Sequence, residues 1–153
     1  MMRTLKLFFV AAALFCATSN VIAEDFESNS NVTGTEVTGI DWTPVINAII
    51  QVESGGNPNA RNGQYAGVLQ IAPVMVAQCN QILKKENSSK RYTLNDRFNV
   101  AKSKEMFILV QKHYNKSNSI ERAIRMWQGG PGYSIKGTQR YYNKVMSIMR
   151  GMK

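Results

Sequence analysis

The stretch from residue 46 to residue 73 constrains the fold more than any other part of the chain. Its apolar residues recur at helical spacing and predict a helix that runs through Ser54. The Gly-Gly-Asn-Pro sequence at 55–58 cannot continue that helix. A second apolar segment at 67–71 follows, and it contains one polar residue, Gln70. The stretch therefore predicts a helix, a turn-rich excursion and a short apolar strip.

The rest of the chain favours helices as well. Extended structure is expected only near 60–71, so the chain has at most a small β-hairpin in a mainly α fold. Ser119 is the predicted cap of one helix, and Thr138 is predicted to open the last one. The helices predicted after the first lie at 73–83, from after Asp96 to about Asn115, at 120–128 and from Thr138 onward.

The amino end is typical of an export signal. Arg3 and Lys6 precede an apolar run at 7–17 that is too short to span a bilayer comfortably. Small residues up to Ala23 suit a signal peptidase, so residues 1–23 are predicted to be a cleaved signal peptide. The protein is then exported, periplasmic or secreted, without stable membrane insertion. A retained amino-terminal anchor is the alternative.

Charge divides the remaining chain into two parts. Residues 24–41 are rich in Ser, Asn, Thr and Gly and carry only acidic charges, which predicts a flexible acidic linker. Residues 42–153 form the predicted domain, in which seventeen Lys and Arg face five acids, a net charge of +12. Such a surface attracts polyanions such as nucleic acid, acidic lipid or an acidic wall polymer, although charge alone is also compatible with plain solubility.

Several classes of function find no support in the sequence. After signal cleavage one cysteine, Cys79, and one histidine, His113, remain, which argues against an intrachain disulfide, a structural zinc site and a Ser-His-Asp triad. The basic surface carries no nucleic-acid-binding signature, so no nucleic-acid partner is expected. We expect a monomer that needs no metal and no cofactor.

Glu53 is the candidate for chemistry. It stands at the carboxyl end of the first predicted helix, where the helix dipole disfavours negative charge. Burial beside Ile49, Ile50 and Val52 acts in the same direction. A carboxyl group that keeps its proton is what a general acid at neutral pH requires. A solvated acid at a helix end is the competing interpretation, and these residues alone leave both open.

Five sequence blocks, in order, resemble the signature of the soluble lytic transglycosylases and goose-type lysozymes. Together they extend over nearly all of residues 42–153. The blocks are ESGGNPNA at 53–60, GVLQI at 67–71, LNDRFNV at 94–100, AIRMWQGGPG at 123–132 and TQRYYNKV at 138–145.

The resemblance implies a lysozyme-like fold that cleaves the β-1,4 bond between N-acetylmuramic acid (MurNAc) and N-acetylglucosamine (GlcNAc) in peptidoglycan. Glu53 stands at the position of the family's single catalytic acid, which protonates the glycosidic oxygen and then acts as a base. A tryptophan and a glutamine replace the family's Tyr-Asn pair; the former can pack on a sugar face and the latter can donate and accept hydrogen bonds. The substrate-binding positions that the match implies are Ser54, Asn62, Leu69, Gln70, Trp127, Gln128 and Tyr141.

The mechanism depends on the lack of an obvious second acid. Asp96 fits a helix cap, and Glu86, Glu105 and Glu121 fall in a polar loop or on helix faces. A two-carboxylate glycosidase needs an acid on each side of the bond, so assistance by the substrate's 2-acetamido group is favoured. Attack by the muramyl 6-hydroxyl then gives a 1,6-anhydro sugar, whereas water gives hydrolysis, as in a muramidase. A non-catalytic wall-binding or assembly protein is the alternative from another class.

Overall fold

The computed structural model describes residues 39–152, so the predicted signal peptide and most of the predicted linker lie outside the described residues. Within this range the chain forms five α-helices, one short 3-10 helix and one antiparallel hairpin, which confirms the mainly α, lysozyme-like class. No helix in the described range is both long and apolar enough to cross a membrane. The elements are α1 (Thr43–Ser54), β1 (Arg61–Asn62), β2 (Tyr65–Ala66), α2 (Pro73–Lys85), the 3-10 helix (Leu94–Phe98), α3 (Val100–Tyr114), α4 (Ile120–Gly129) and α5 (Ile135–Gly151).

Helix α1 is central to the core. Its apolar face is buried, and the helix packs against both α4 and α5. Phe107 of α3 lies between two tryptophans, with its ring centre 6.0 Å from that of Trp42 and 5.1 Å from that of Trp127. Each such side chain contributes on the order of 2 kcal/mol through burial, so the aromatic cluster fixes α3 against both α1 and α4.

The residue that terminates α1 and the residue that caps the start of α4 are those that the sequence predicts. Gly55 adopts a left-handed conformation with φ of 61° and donates its N–H to the carbonyl of Gln51, which ends α1. Ser119 caps α4 by accepting a hydrogen bond from the N–H of Arg122 at 3.2 Å. At the start of α1, Trp42 occupies the cap position, and the Asp41 carboxylate accepts a hydrogen bond from the N–H of Thr43 at 2.9 Å.

The predicted start of the last helix was wrong by three residues. Helix α5 begins at Ile135, and Ser134 caps it by accepting from the N–H of Gly137 at 3.0 Å. Thr138 lies inside the first turn, where its buried hydroxyl donates back to the carbonyl of Ser134 at 2.8 Å. Both residues are of capping type, and the exposed Ile135 between them gives no apolar periodicity that could favour the earlier cap.

The segment from Tyr65 to Ile71 is less extended than expected. Only its first two residues form a strand, and 67–70 make a tight turn that is closed by a bridge between Ala66 and Ile71. Gly67 has φ of 75°, and its α-carbon lies against the backbone carbonyl of Arg97. The turn therefore depends on glycine both for its conformation and for this close approach.

A buried arginine holds this turn in place. The Arg97 guanidinium donates to the carbonyl of Gln64 at 2.9 Å and to that of Ile71 at 3.1 Å, and its Nε donates to the carbonyl of Leu94. Burial and then the nearby Arg61 charge lower the pKa of Arg97. The 3-10 helix is thereby joined to both ends of the segment that carries Gln70.

We predict that Gly67→Ala lowers the free energy of unfolding by about 2–4 kcal/mol, because the new methyl group adds overlap with the Arg97 carbonyl to the strain of the left-handed backbone. Gly63→Ala is the matched control, since Gly63 has φ of 59° but open space around it, and about 1 kcal/mol is expected there. Urea unfolding of both variants checks this, and equal losses would contradict the proposed contact.

Candidate active site

A cleft of about 370 Å³ opens where the end of α1, the hairpin, the 67–70 turn, α4 and α5 meet. Its size is within the range of about 300–1,000 Å³ that is common for small-ligand sites. Polar and charged side chains predominate in its lining. The lining residues are Val52, Glu53, Asn62, Tyr65, Gln70, Gln128, Gly137, Arg140, Tyr141 and Lys144.

Glu53 lies in the last turn of α1 and reaches the cleft partly exposed. The hydroxyl of Tyr141, on α5, donates a hydrogen bond to its Oε1 at 2.8 Å. Burial of that hydroxyl, together with the charge of Glu53 and the hydrogen bond to it, raises the pKa of Tyr141 well above its usual value. The phenol therefore stays neutral and acts as a fixed donor to Glu53.

Within residues 39–152, Glu53 is the only carboxylate in the lining of the cleft. Asp96 accepts from the ammonium of Lys102 at 2.6 Å, and that contact, then the N–H of Thr93, lowers the pKa of Asp96. Glu105 is paired in the same way with Lys90. The acids of the described range that do not line the cleft are Asp41, Glu86, Asp96, Glu105 and Glu121.

Gln70 reaches the cleft from an unusual backbone position. It has φ of 47°, and its side-chain Nε2 donates to the carbonyl of Gly67 at 2.9 Å and to that of Ala60 at 3.3 Å. Gln70 therefore lines the cleft, and its side-chain amide also stabilises the 67–70 turn that forms this side of the cleft. A left-handed glutamine persists only where its surroundings hold it there.

Three of the residues predicted to bind substrate lie behind the cleft. The hydroxyl of Ser54 donates to the carbonyl of Val68 at 2.9 Å, which ties the end of α1 to the turn. The Trp127 indole is 3% exposed, and its Nε1 donates to the carbonyl of Leu69, itself fully buried. This placement differs from the expected contact with a sugar face, because a core indole packed on Phe107 presents no free face.

The structure brings together the other five predicted residues. Glu53, Asn62, Gln70, Gln128 and Tyr141 all line the cleft, although they come from five separate segments of the chain. Gln128 follows Trp127 on α4, and of these two adjacent residues Gln128 lines the cleft while Trp127 packs in the core.

Sequence reasoning missed the residues that α5 adds to the cleft beside Tyr141. Gly137, Arg140 and Lys144 all line it. Part of the signal was available, because positions three and four apart share one face of a helix, and Gly137 and Lys144 stand at such spacings from Tyr141.

Arg125 was also missed, although it orders this face of the cleft. Its guanidinium is 3% exposed and donates to the carbonyl of Ile135, the hydroxyl of Thr138 and the side chain of Gln139. Its Nε pairs with Glu121 at 2.7 Å. These contacts hold α5 against α4 and so set Tyr141 relative to Gln128. In sequence, an arginine in a helix resembles an ordinary solvated residue.

The donor set of the cleft does not resemble a metal centre. Across the described part of the chain, no group of three or more His, Cys, Asp or Glu residues could hold a metal ion. The cysteine and the histidine of the described range lie elsewhere. Cys79 is buried in the core, where burial raises the pKa of its thiol to about 12, and burial first of all lowers the pKa of His113 on α3.

A comparison with protein-family models matches residues 34–148 to the family described as Transglycosylase SLT domain. The match spans most of the chain and includes all residues of the cleft lining. Comparisons with curated proteins and with solved structures gave no significant match.

The raised pKa of Tyr141 predicts how the folded protein titrates in base. Near pH 10 the folded wild type and Tyr141→Phe are expected to give equal tyrosinate absorbance, because Tyr141 is not yet ionised. In urea-unfolded chains, Tyr141 ionises near its usual pKa of about 10, so at that pH the wild type should show about half a tyrosinate more than the variant. Stability is accordingly lost as pH rises above about 10, since the unfolded state releases this proton first. The same half-tyrosinate difference between the folded proteins near pH 10 would contradict the enclosed hydroxyl.

Proposed function

The chain belongs to the transglycosylase SLT domain family, and from this premise we propose that Glu53 is the single catalytic acid of a peptidoglycan lytic transglycosylase. The family comprises enzymes that cleave glycosidic bonds of peptidoglycan. The observation that carries the proposal is the lone carboxylate of the cleft, held by the Tyr141 hydroxyl at 2.8 Å. The bond cleaved is the β-1,4 bond from MurNAc to GlcNAc.

In the first step, protonated Glu53 gives its proton to the glycosidic oxygen. The bond from that oxygen to C1 of the muramyl residue breaks, and GlcNAc leaves with a free 4-hydroxyl. Because the cleft lining offers no second carboxylate to attack C1, the carbonyl oxygen of the substrate's own 2-acetamido group forms the new bond, giving an oxazolinium ion.

In the second step, Glu53 is a carboxylate and acts as the base. It takes the proton of the muramyl 6-hydroxyl while that oxygen attacks C1 and displaces the acetamido oxygen. The product is a 1,6-anhydro-MurNAc end, and Glu53 regains its proton. Attack by water at the same stage would give a hydrolytic muramidase.

The remaining cleft residues support this chemistry by position. Tyr141 donates to Glu53 and orients its carboxyl group, while Gln70 and Gln128 offer amide groups along the wall. The proposal places the active domain at 42–153 as a monomer that is exported by the signal at 1–23, because peptidoglycan lies outside the cytoplasmic membrane.

We predict that Glu53→Gln lowers the rate of glycan cleavage roughly a thousandfold, because the amide can neither donate nor take the proton. Glu86→Gln is the matched control, since Glu86 is an exposed acid at the end of α2 and its variant should keep full activity. The measurement is the release of soluble fragments from purified peptidoglycan. Undiminished activity of Glu53→Gln, with its fold intact by circular dichroism, would refute the assignment.

The identity of the attacking group predicts the product. Mass spectrometry of digested peptidoglycan should show glycan ends lighter by one water molecule than hydrolysed ends, because the 6-hydroxyl displaces the acetamido oxygen internally. The ends should resist borohydride reduction, since an anhydro sugar has no free aldehyde. Fully reducible ends would show that the enzyme is a muramidase.

A further inference from the structure

Helix α5 presents two cations to the cleft beside the candidate catalytic acid. Arg140 and Lys144 both line it, one helical turn apart, and Tyr141 lies between them in the chain. Since residues at i and i+4 share a helix face with about 5–6 Å between their β-carbons, the two cationic side chains project from one stripe of α5.

These two cations have no acidic partner within the described range, in contrast to three of its other basic side chains. Lys90, Lys102 and Arg125 each form a salt bridge with an acid. Within residues 39–152, neither Arg140 nor Lys144 forms a salt bridge or a side-chain hydrogen bond. Both are exposed, so they can meet a ligand without first losing a protein partner.

The stripe also has room for a ligand. Gly137 lies one turn before Arg140 and Tyr141 on the cleft side of α5, and it contributes no side chain there. Among the described residues, Glu53 is the only acid of the lining against two cations, so this part of the chain gives the cleft an excess positive charge. A neutral glycan alone leaves that charge without a partner.

Resting on the proposed function, we propose that Arg140 and Lys144 form a subsite for a carboxylate carried on the lactyl side chain of the muramyl residue. A guanidinium binds a carboxylate through two parallel hydrogen bonds, and an ammonium adds a point charge. The carboxylate is either the lactyl group's own, in strands without peptides, or one on the attached stem peptide.

The subsite distinguishes the two sugars of the repeating strand. GlcNAc carries no acidic group, whereas MurNAc carries the lactyl group on the same ring whose C1 bond is broken. Anchoring an anion beside the Tyr141–Glu53 pair therefore sets the register of the strand. It brings the MurNAc-to-GlcNAc bond, rather than the alternate bond, to the acid.

The test compares the wild type with the double variant Arg140→Gln/Lys144→Gln on uncross-linked peptidoglycan strands, native or with their carboxyl groups amidated by carbodiimide coupling. On native strands the variant should raise KM about tenfold with little change in kcat, because two charge-assisted contacts are lost. On amidated strands the two proteins should be equal.

The matched control is Lys136→Gln/Arg150→Gln, which removes the same charge from the same helix at exposed positions outside the cleft lining. It should behave as the wild type on both substrates. Stripping the peptides with an amidase frees the lactyl carboxyl group: a retained KM effect then shows that the subsite also binds the lactyl carboxylate, and a lost effect assigns the stem peptide alone. Either result supports the subsite.

The subsite is refuted if the double variant has the KM of the wild type on native strands. It is also refuted if the KM of the variant rises equally on native and amidated strands. Failure of the proposed function is separable, because the wild type would then cleave none of the substrates. In that case titration calorimetry with the same native and amidated strands replaces the rate assay, and the same difference in Kd between wild type and variant is expected.

Discussion

The hydrogen bond from Tyr141 to Glu53 is the interaction on which the rest of the site depends. It joins residues 88 positions apart and connects the end of α1 with the face of α5. A carboxyl group at a helix end would otherwise select among several rotamers, and a general acid must be within reach of one oxygen. Because the phenol hydroxyl donates to one particular oxygen of Glu53, the contact also fixes the direction of the carboxyl group.

Three polar contacts hold the walls that this hydrogen bond joins. Arg125 fastens α5 to α4, Arg97 fastens the 3-10 helix to the hairpin and turn, and Ser54 fastens the turn to α1. Each donates mainly to backbone carbonyls or to buried side chains. Losing one would leave buried acceptors unsatisfied, which costs about 1–3 kcal/mol for each group. These contacts thus fix the elements that line the cleft to one another and to the core.

The sequence predicted those parts of the fold that have a local cause. Helix periodicity, the glycine stop at Gly55 and the cap at Ser119 all recur in the structure. The beginning of α5 was wrong because two capping residues, Ser134 and Thr138, stand a turn apart, and only tertiary packing chooses between them. The family resemblance supplied both Glu53 and Tyr141 as site residues, and no local rule could have shown that they contact each other.

The division of the site between cleft and core was the part that sequence could not provide. Trp127 and Gln128 are neighbours in one motif, yet the first lies in the core and the second faces the cleft, and a motif carries no such direction. The burial of Arg125 could not be predicted for a related reason, since the partners that satisfy its guanidinium in the interior lie on another helix. Arg140 and Lys144 were visible as charges but not as cleft residues.

The central claim is that Tyr141 acts through Glu53, and a double-mutant cycle on kcat for glycan cleavage tests it most directly. Tyr141→Phe alone should lower kcat about tenfold, because Glu53 loses the donor that orients it. In the Glu53→Gln background the same change should have almost no further effect. An equal tenfold loss in both backgrounds would contradict the account, because Tyr141 would then contribute independently of the acid.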